Sequence, residues 1–147
     1  MGYLKYYEKE NEIFSDVNDY VNGLLDINTI LIIAKKLLKH YKLQFLHVEL
    51  SKGECSSFVF SKTWNVGLKL KFSKSRTTLG VICHEVAHAI EYEKYQISKH
   101  GKRHFRIMKG VINYSKRRGY NKYTNSKEQS IQSLPKPFEL NNPKSNL

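Results

Sequence analysis

VICHEVAHAIEYEKYQISKHGKRHF, residues 81–105, holds four of the chain's six histidines. Leu79, Ile82, Val86 and Ile90 recur at helical intervals around its first half, so residues 79 to about 95 read as a helix with one packing stripe. His84, Glu85 and His88 spell HExxH on that helix. Positions i and i+4 share a helix face, so both imidazoles can reach one metal ion. Glu85 points about 100° away from His84. In metalloproteases with this motif the glutamate does not ligate but handles water at the metal. A chain of this composition would contain HExxH by chance with a probability on the order of 1 %, so an accidental pair is the weaker reading. A third protein ligand is needed, and the only histidines downstream are His100 and His104, four residues apart at the start of the next expected helix. Spacing alone leaves both open. Three protein ligands leave the fourth tetrahedral position to water or substrate, which makes a zinc site catalytic rather than structural.

Working outward, Ser75, Thr77 or Thr78 would cap the HExxH helix. A last helix runs from about Lys102 to Arg118 and is closed by Gly119, with Phe105, Met108, Val111 and Ile112 facing the core. Upstream the period changes. Residues 45–50, 56–61 and 66–72 read as strands. In the third, VGLKLKF, Val66, Leu68, Leu70 and Phe72 alternate with Gly67, Lys69 and Lys71, which predicts a half-buried antiparallel strand with a cationic outer face. A helix capped by Asp26 or Asn28 carries Ile27, Ile30, Leu31, Ala34, Leu37, Leu38 and Tyr41 on one side. Before it, Ile13, Phe14, Val17, Tyr20, Val21, Leu24 and Leu25 suggest another helical stretch, broken near Gly23. The expected fold is α+β: a helix on a small, mostly antiparallel sheet, then the HExxH helix and a basic C-terminal helix. Residues 1–118 form one domain in this reading. Residues 119–147, rich in Asn, Ser, Lys and Pro, form a disordered or loosely docked tail. His40 and His47 read as structural.

Lysine and arginine outnumber aspartate and glutamate by 25 to 13, for a net charge of +12. Such a surface attracts polyanions without saying which. The helix and lead-in that follow HExxH concentrate this charge in Lys99, Lys102, Arg103, Arg106, Lys109, Lys116, Arg117 and Arg118, and Lys69 and Lys71 add to it. This stripe can track a phosphate backbone. Trp64 and Tyr114 are candidate stacking platforms, against an ordinary role as core aromatics. Two cysteines, Cys55 and Cys83, exclude a disulfide framework and a four-cysteine zinc ribbon. Cys83, one step from His84 and turned aside, reads as packing rather than as a ligand or nucleophile. MGYLKYYEKENE lacks an apolar signal region, and INTILIIA is too short to span a bilayer. The expected location is cytoplasmic, nuclear or host-intracellular, not secreted, with no membrane partner.

CHEVAHAI and KHGKRHFRIMKGV together resemble the SprT-like metallopeptidases, the family that includes Spartan. Their hallmark is HExxH followed by a His-Gly pair, then an aromatic residue leading into a helix. The resemblance covers roughly residues 25–118. It implies a minimal zincin-like fold, a Zn²⁺ ion held by His84, His88 and His100, and Glu85 as the catalytic base. It also implies proteolysis of DNA-bound or DNA-crosslinked proteins, with single-stranded or duplex DNA as partner. Two departures stand out. Lys102 follows Gly101 where the family often has proline, and His104 occupies the family's aromatic position, with Phe105 one residue later. His104 is therefore a packing residue, a group behind the ligands, or the alternative ligand. Two rival readings remain: a DNA-binding module whose zinc only staples the fold, and a metal-free adaptor in which the histidines are incidental.

Overall fold

The computed structural model describes residues 12, 17, 23–43, 46–53, 56–61 and 67–125. In chain order these form helix α1 (Ile27–His40), strands β1 (Leu46–Ser51), β2 (Ser57–Ser61) and β3 (Gly67–Ser73), helices α2 (Leu79–Tyr95) and α3 (Lys102–Arg117), and a 3₁₀ turn, Tyr120–Asn125. Cys55, Trp64 and Val66 lie outside the described residues, as does most of the helical stretch expected over 13–25. Val17 from that stretch is buried, and its carbonyl accepts from the Gly80 N–H at 2.8 Å.

Asp26 caps α1, its Oδ1 accepting from the Thr29 N–H at 2.9 Å. This satisfies one of the donors that a helix start leaves open. Ile30, Ile33, Ala34 and Leu37 are wholly buried at helical spacing. The helix ends in a Schellman turn. Lys42 takes the left-handed conformation (φ 56°), Leu43 N–H donates to Leu38 O at 3.0 Å, and Lys42 N–H donates to Lys39 O at 3.2 Å.

The sheet corrects the expected mostly antiparallel arrangement. It is mixed, in the order β1-β3-β2. The strand β3 lies between the other two, parallel to β1 (Val48 opposite Leu70) and antiparallel to β2 (Phe58 opposite Leu70). Alternation along β3 reports which face is buried, not which neighbour it pairs with or in what direction. The faces themselves fall as the pattern predicts. Leu70 and Phe72 are fully buried. On the other face Glu49 gathers Lys69 (3.4 Å), Lys71 (3.6 Å) and His47 (3.4 Å).

From β3 the chain passes into α2 through a hydroxyl-rich corner. Thr77 Oγ1 donates to Ser73 O at 2.6 Å, Ser73 N–H donates to Ser56 Oγ at 3.0 Å, and Thr78 caps α2 by accepting from Val81 N–H at 3.3 Å. The helix α2 is the centre of the molecule and packs against α1, β2, β3 and α3. Leu79, Ile82 and Val86 are wholly buried, and each contributes about 1.5–3 kcal/mol on burial. A helix enclosed this way can hold polar groups only where partners are supplied. His88 and Glu91 are both buried on it. Opposite, α3 buries His104, Met108, Val111, Ile112 and Ser115 and closes where Gly119 adopts φ 77°. The segment read as a tail from residue 119 still carries the buried Tyr120 and the 3₁₀ turn; residues 126–147 lie outside the described residues. Among the described residues no helix is long and apolar enough to cross a membrane.

Candidate metal centre

After Tyr95 the chain must reverse to bring His100 back to α2. Gln96 does this in the left-handed conformation (φ 59°). Its N–H donates to Tyr92 O at 2.8 Å, and its side-chain amide reaches Tyr92 O and Glu93 O at 3.4 and 3.3 Å. These contacts offset the roughly 1 kcal/mol that a non-glycine residue costs there. Residues 97–100 return along α2, and α3 begins only at Lys102, with Gly101 as an extended N-cap (φ −130°). His100 therefore precedes the helix, and its ring turns towards the HExxH pair.

Three imidazole nitrogens meet. His84 Nε2 and His88 Nε2 are 3.2 Å apart, His84 Nε2 and His100 Nε2 3.1 Å, and His88 Nε2 and His100 Nε2 3.0 Å. An imidazole nitrogen either carries a proton or presents a lone pair, never both. Two kinds of atom on three corners force at least one edge to join two alike, so the triangle cannot be closed by hydrogen bonds. A cation satisfies all three lone pairs at once. Tetrahedral zinc, with nitrogens at about 2.0–2.1 Å, needs corners about 3.3 Å apart, within a few tenths of an ångström of those found. The three histidines thus form a group that can hold a metal ion.

The proton on His88 can be located. Ser98 Oγ–H donates to Glu91 Oε1 at 2.8 Å. A hydroxyl has one proton, so Ser98 Oγ accepts from His88 Nδ1–H at 2.6 Å. His88 is then protonated at Nδ1, with the Nε2 lone pair directed at the other two rings. Burial, then the neighbouring His104, His84 and His100 imidazoles, push its pKa down to about 2, the neutral form that metal binding requires. Glu91 also accepts from Lys99 N–H at 3.0 Å and from Arg103 Nε at 2.8 Å. Burial alone would raise its carboxyl, but the bonds from Arg103, Ser98 and Lys99 outweigh that and hold it below the usual carboxylate range.

His104 stands outside this group of three. Its Nε2–H donates to the His84 backbone carbonyl at 3.0 Å, and its ring stacks on His88 at 3.8 Å. It is fully buried and fills the position where the resemblance leads one to expect an aromatic ring. Glu85 is buried on α2, adjacent to His84. Cys83 lies against Ser115, Sγ to Oγ 3.5 Å, and burial pushes its thiol up to about 12, as suits packing rather than nucleophilic chemistry.

The basic residues divide into two groups. Lys102, Arg106, Lys109, Lys116 and Arg117 are exposed and fall within an arc of about 100° on α3; Arg118, just past the helix, and Lys99 are exposed as well. Arg103 is instead engaged by Glu91, with its guanidinium 3.6 Å over the Tyr95 ring. Lys69 and Lys71 share Glu49. Tyr114 is half-buried, stacks on the exposed His40 at 3.7 Å and packs against the core.

The residues that sequence reasoning passes over are Glu91 and Ser98. The available signal was spacing: Glu91 is three residues beyond His88 and seven beyond His84, on the same helix face. Comparison with protein-family models, curated proteins and solved structures returns no match for this chain.

Proposed function

We propose that the chain is a zinc-dependent endopeptidase of SprT-like type, with a minimal zincin-like arrangement, acting on DNA-bound or DNA-crosslinked proteins. The observation that carries this reading is the convergence of the His84, His88 and His100 Nε2 atoms within 3.0–3.2 Å of one another. Imidazole donors suit several transition metals; zinc is chosen because the HExxH and His-Gly motifs resemble those of zinc peptidases. A zinc ion held there supplies Lewis acidity, polarising a carbonyl oxygen and acidifying water. Glu85 accepts a proton from the attacking water and passes it to the leaving amine nitrogen. His84, His88 and His100 hold their lone pairs inward, and Ser98 keeps the His88 proton on the far nitrogen. The exposed cations of α3 provide the surface for a nucleic-acid backbone.

That same exposed stripe supports a second reading, a DNA-binding module in which the metal only staples the fold. One variant separates the two. Glu85→Gln should lower cleavage by about 10²–10⁴-fold, the range for loss of a general base, and leave one metal ion bound per chain. The assay pairs wild type and Glu85→Gln on protein substrates, alone and with single-stranded or duplex DNA, alongside metal analysis. Wild type that retains its metal yet cleaves nothing under any of these conditions would favour the binding module. Wild type that is folded but takes up no metal would remove both readings and leave the adaptor.

A further inference from the structure

A single buried carboxylate ties together every segment that contributes to the metal centre. Glu91 is 2 % exposed and sits on α2 one turn beyond His88. Its Oε1 accepts from Ser98 Oγ–H (2.8 Å) and from Lys99 N–H (3.0 Å), and its Oε2 accepts from Arg103 Nε (2.8 Å). Ser98 and Lys99 are the two residues immediately before His100, and Arg103 lies in the first turn of the helix that follows it. Arg103 is itself clamped between Glu91 and the Tyr95 ring at 3.6 Å. The loop carrying the third histidine is thus fastened on both sides of His100 to the helix carrying the other two.

We propose that Glu91 is the positioning residue of this metal centre. Through Ser98 it fixes the proton of His88 on Nδ1, and through Lys99 and Arg103 it sets the distance of His100 from the HExxH pair. The inference rests on the metal-centre reading above. Two observations carry it. Ser98 has one proton and spends it on Glu91, which makes it an acceptor towards His88 at 2.6 Å. And no helix places His100, because α3 starts after it, at Lys102, so the loop needs an anchor of another kind. Groups that orient a ligand's far nitrogen tune both metal affinity and ligand direction. Glu91 acts through Ser98, the Lys99 N–H and Arg103.

The test reads metal binding, not cleavage. The full chain, stripped of metal, is titrated with Zn²⁺ against a competing chelator and with Co²⁺, whose visible absorption reports coordination geometry. Ser98→Ala removes only the hydroxyl and should weaken metal affinity by about 10–100-fold with far-ultraviolet circular dichroism unchanged. Ser98→Thr restores a hydroxyl and should return affinity to within about threefold of wild type. Glu91→Gln, matched in size, should weaken affinity by a similar 10–100-fold and alter the Co²⁺ absorption, since His100 loses its setting as well. Folded Ser98→Ala and Glu91→Gln proteins that bind both metals within about twofold of wild type would overturn the positioning role and leave the metal centre standing. Folded wild type that binds neither metal would overturn the metal centre itself, and this inference with it.

Discussion

Two histidine pairs with identical spacing meet different fates. His84 and His88 are four residues apart, and so are His100 and His104. The first pair lies wholly within α2, and its Nε2 atoms stand 3.2 Å apart. The second straddles a helix start. Gly101 caps α3, so His104 is helical and turns to the His84 carbonyl, while His100 is not helical and turns to the His84 and His88 imidazoles. The i, i+4 rule concerns two residues in one helix. Where a helix begins between them, the spacing carries no such information, and the cap decides which imidazole faces the His84–His88 pair.

The sharpest way to break this comparison is to remove each member of the second pair. His100→Ala deletes a corner of the triangle and should weaken metal affinity by at least about 100-fold, beyond the range for a group that only orients a ligand. His104→Ala should weaken it by less than about tenfold while lowering thermal stability more, since a fully buried ring leaves a cavity. Chelator competition and thermal melts on both proteins check the pattern. Equal metal loss in the two would mean that His104 also ligates, contrary to its bond to the His84 carbonyl.

Much of this site was legible because it depends on local rules. Thr78 and Asp26 cap where a hydroxyl or carboxylate precedes an apolar stripe, Gly119 closes α3, and HExxH converges because it is entirely helical. What escaped depends on contacts between segments. The sheet order follows from which strand slots beside β3, and the binary pattern is silent on that. Glu91 sits in EYEKY, where nothing local points to its partners Ser98, Lys99 and Arg103, which reach it only once the chain has reversed. Lys69 and Lys71 look like a free cationic face until the parallel register sets Glu49 opposite Lys71. His104 stays open between packing and ligation because polarity, not burial, is what a sequence displays.

The buried member of the second pair gives a smaller, pH-dependent effect. Burial, then the neighbouring His84 imidazole, pushes the His104 pKa down from 6.5 to about 3. The unfolded chain binds that proton near pH 6.5 and the folded one does not, so the unfolded state carries more protons between those values. Stability from neutral His104 is therefore complete above about pH 6.5 and is lost as pH falls towards 3. His104→Phe keeps a ring against His88 and cannot titrate. At neutral pH it should cost about 1 kcal/mol, the value of one hydrogen bond to the His84 carbonyl. On acidification from pH 7 to 5 the metal-free wild type should lose its advantage over His104→Phe. Melting curves across that range test the sign; a gap that widened on acidification would mean His104 is held protonated in the fold.

The smallest effect concerns the residue that separates the two histidines. The resemblance to SprT-like peptidases rests partly on glycine following the third histidine, which suggests that a side chain there would disturb the site. The backbone argues otherwise. Gly101 has φ −130°, a conformation any residue adopts, and a Cβ built on it meets nothing within 4 Å. What Gly101 lacks is a side chain to cap α3, which starts without a side-chain hydrogen bond. Ser at an N-cap is better than Gly by only a few tenths of a kcal/mol. Gly101→Ser should therefore raise the melting temperature slightly and leave metal affinity within about twofold, because it reinforces the helix start that keeps His100 outside α3. A Gly101→Ser protein that lost metal while remaining folded would show that the loop, and not the cap, sets where His100 points.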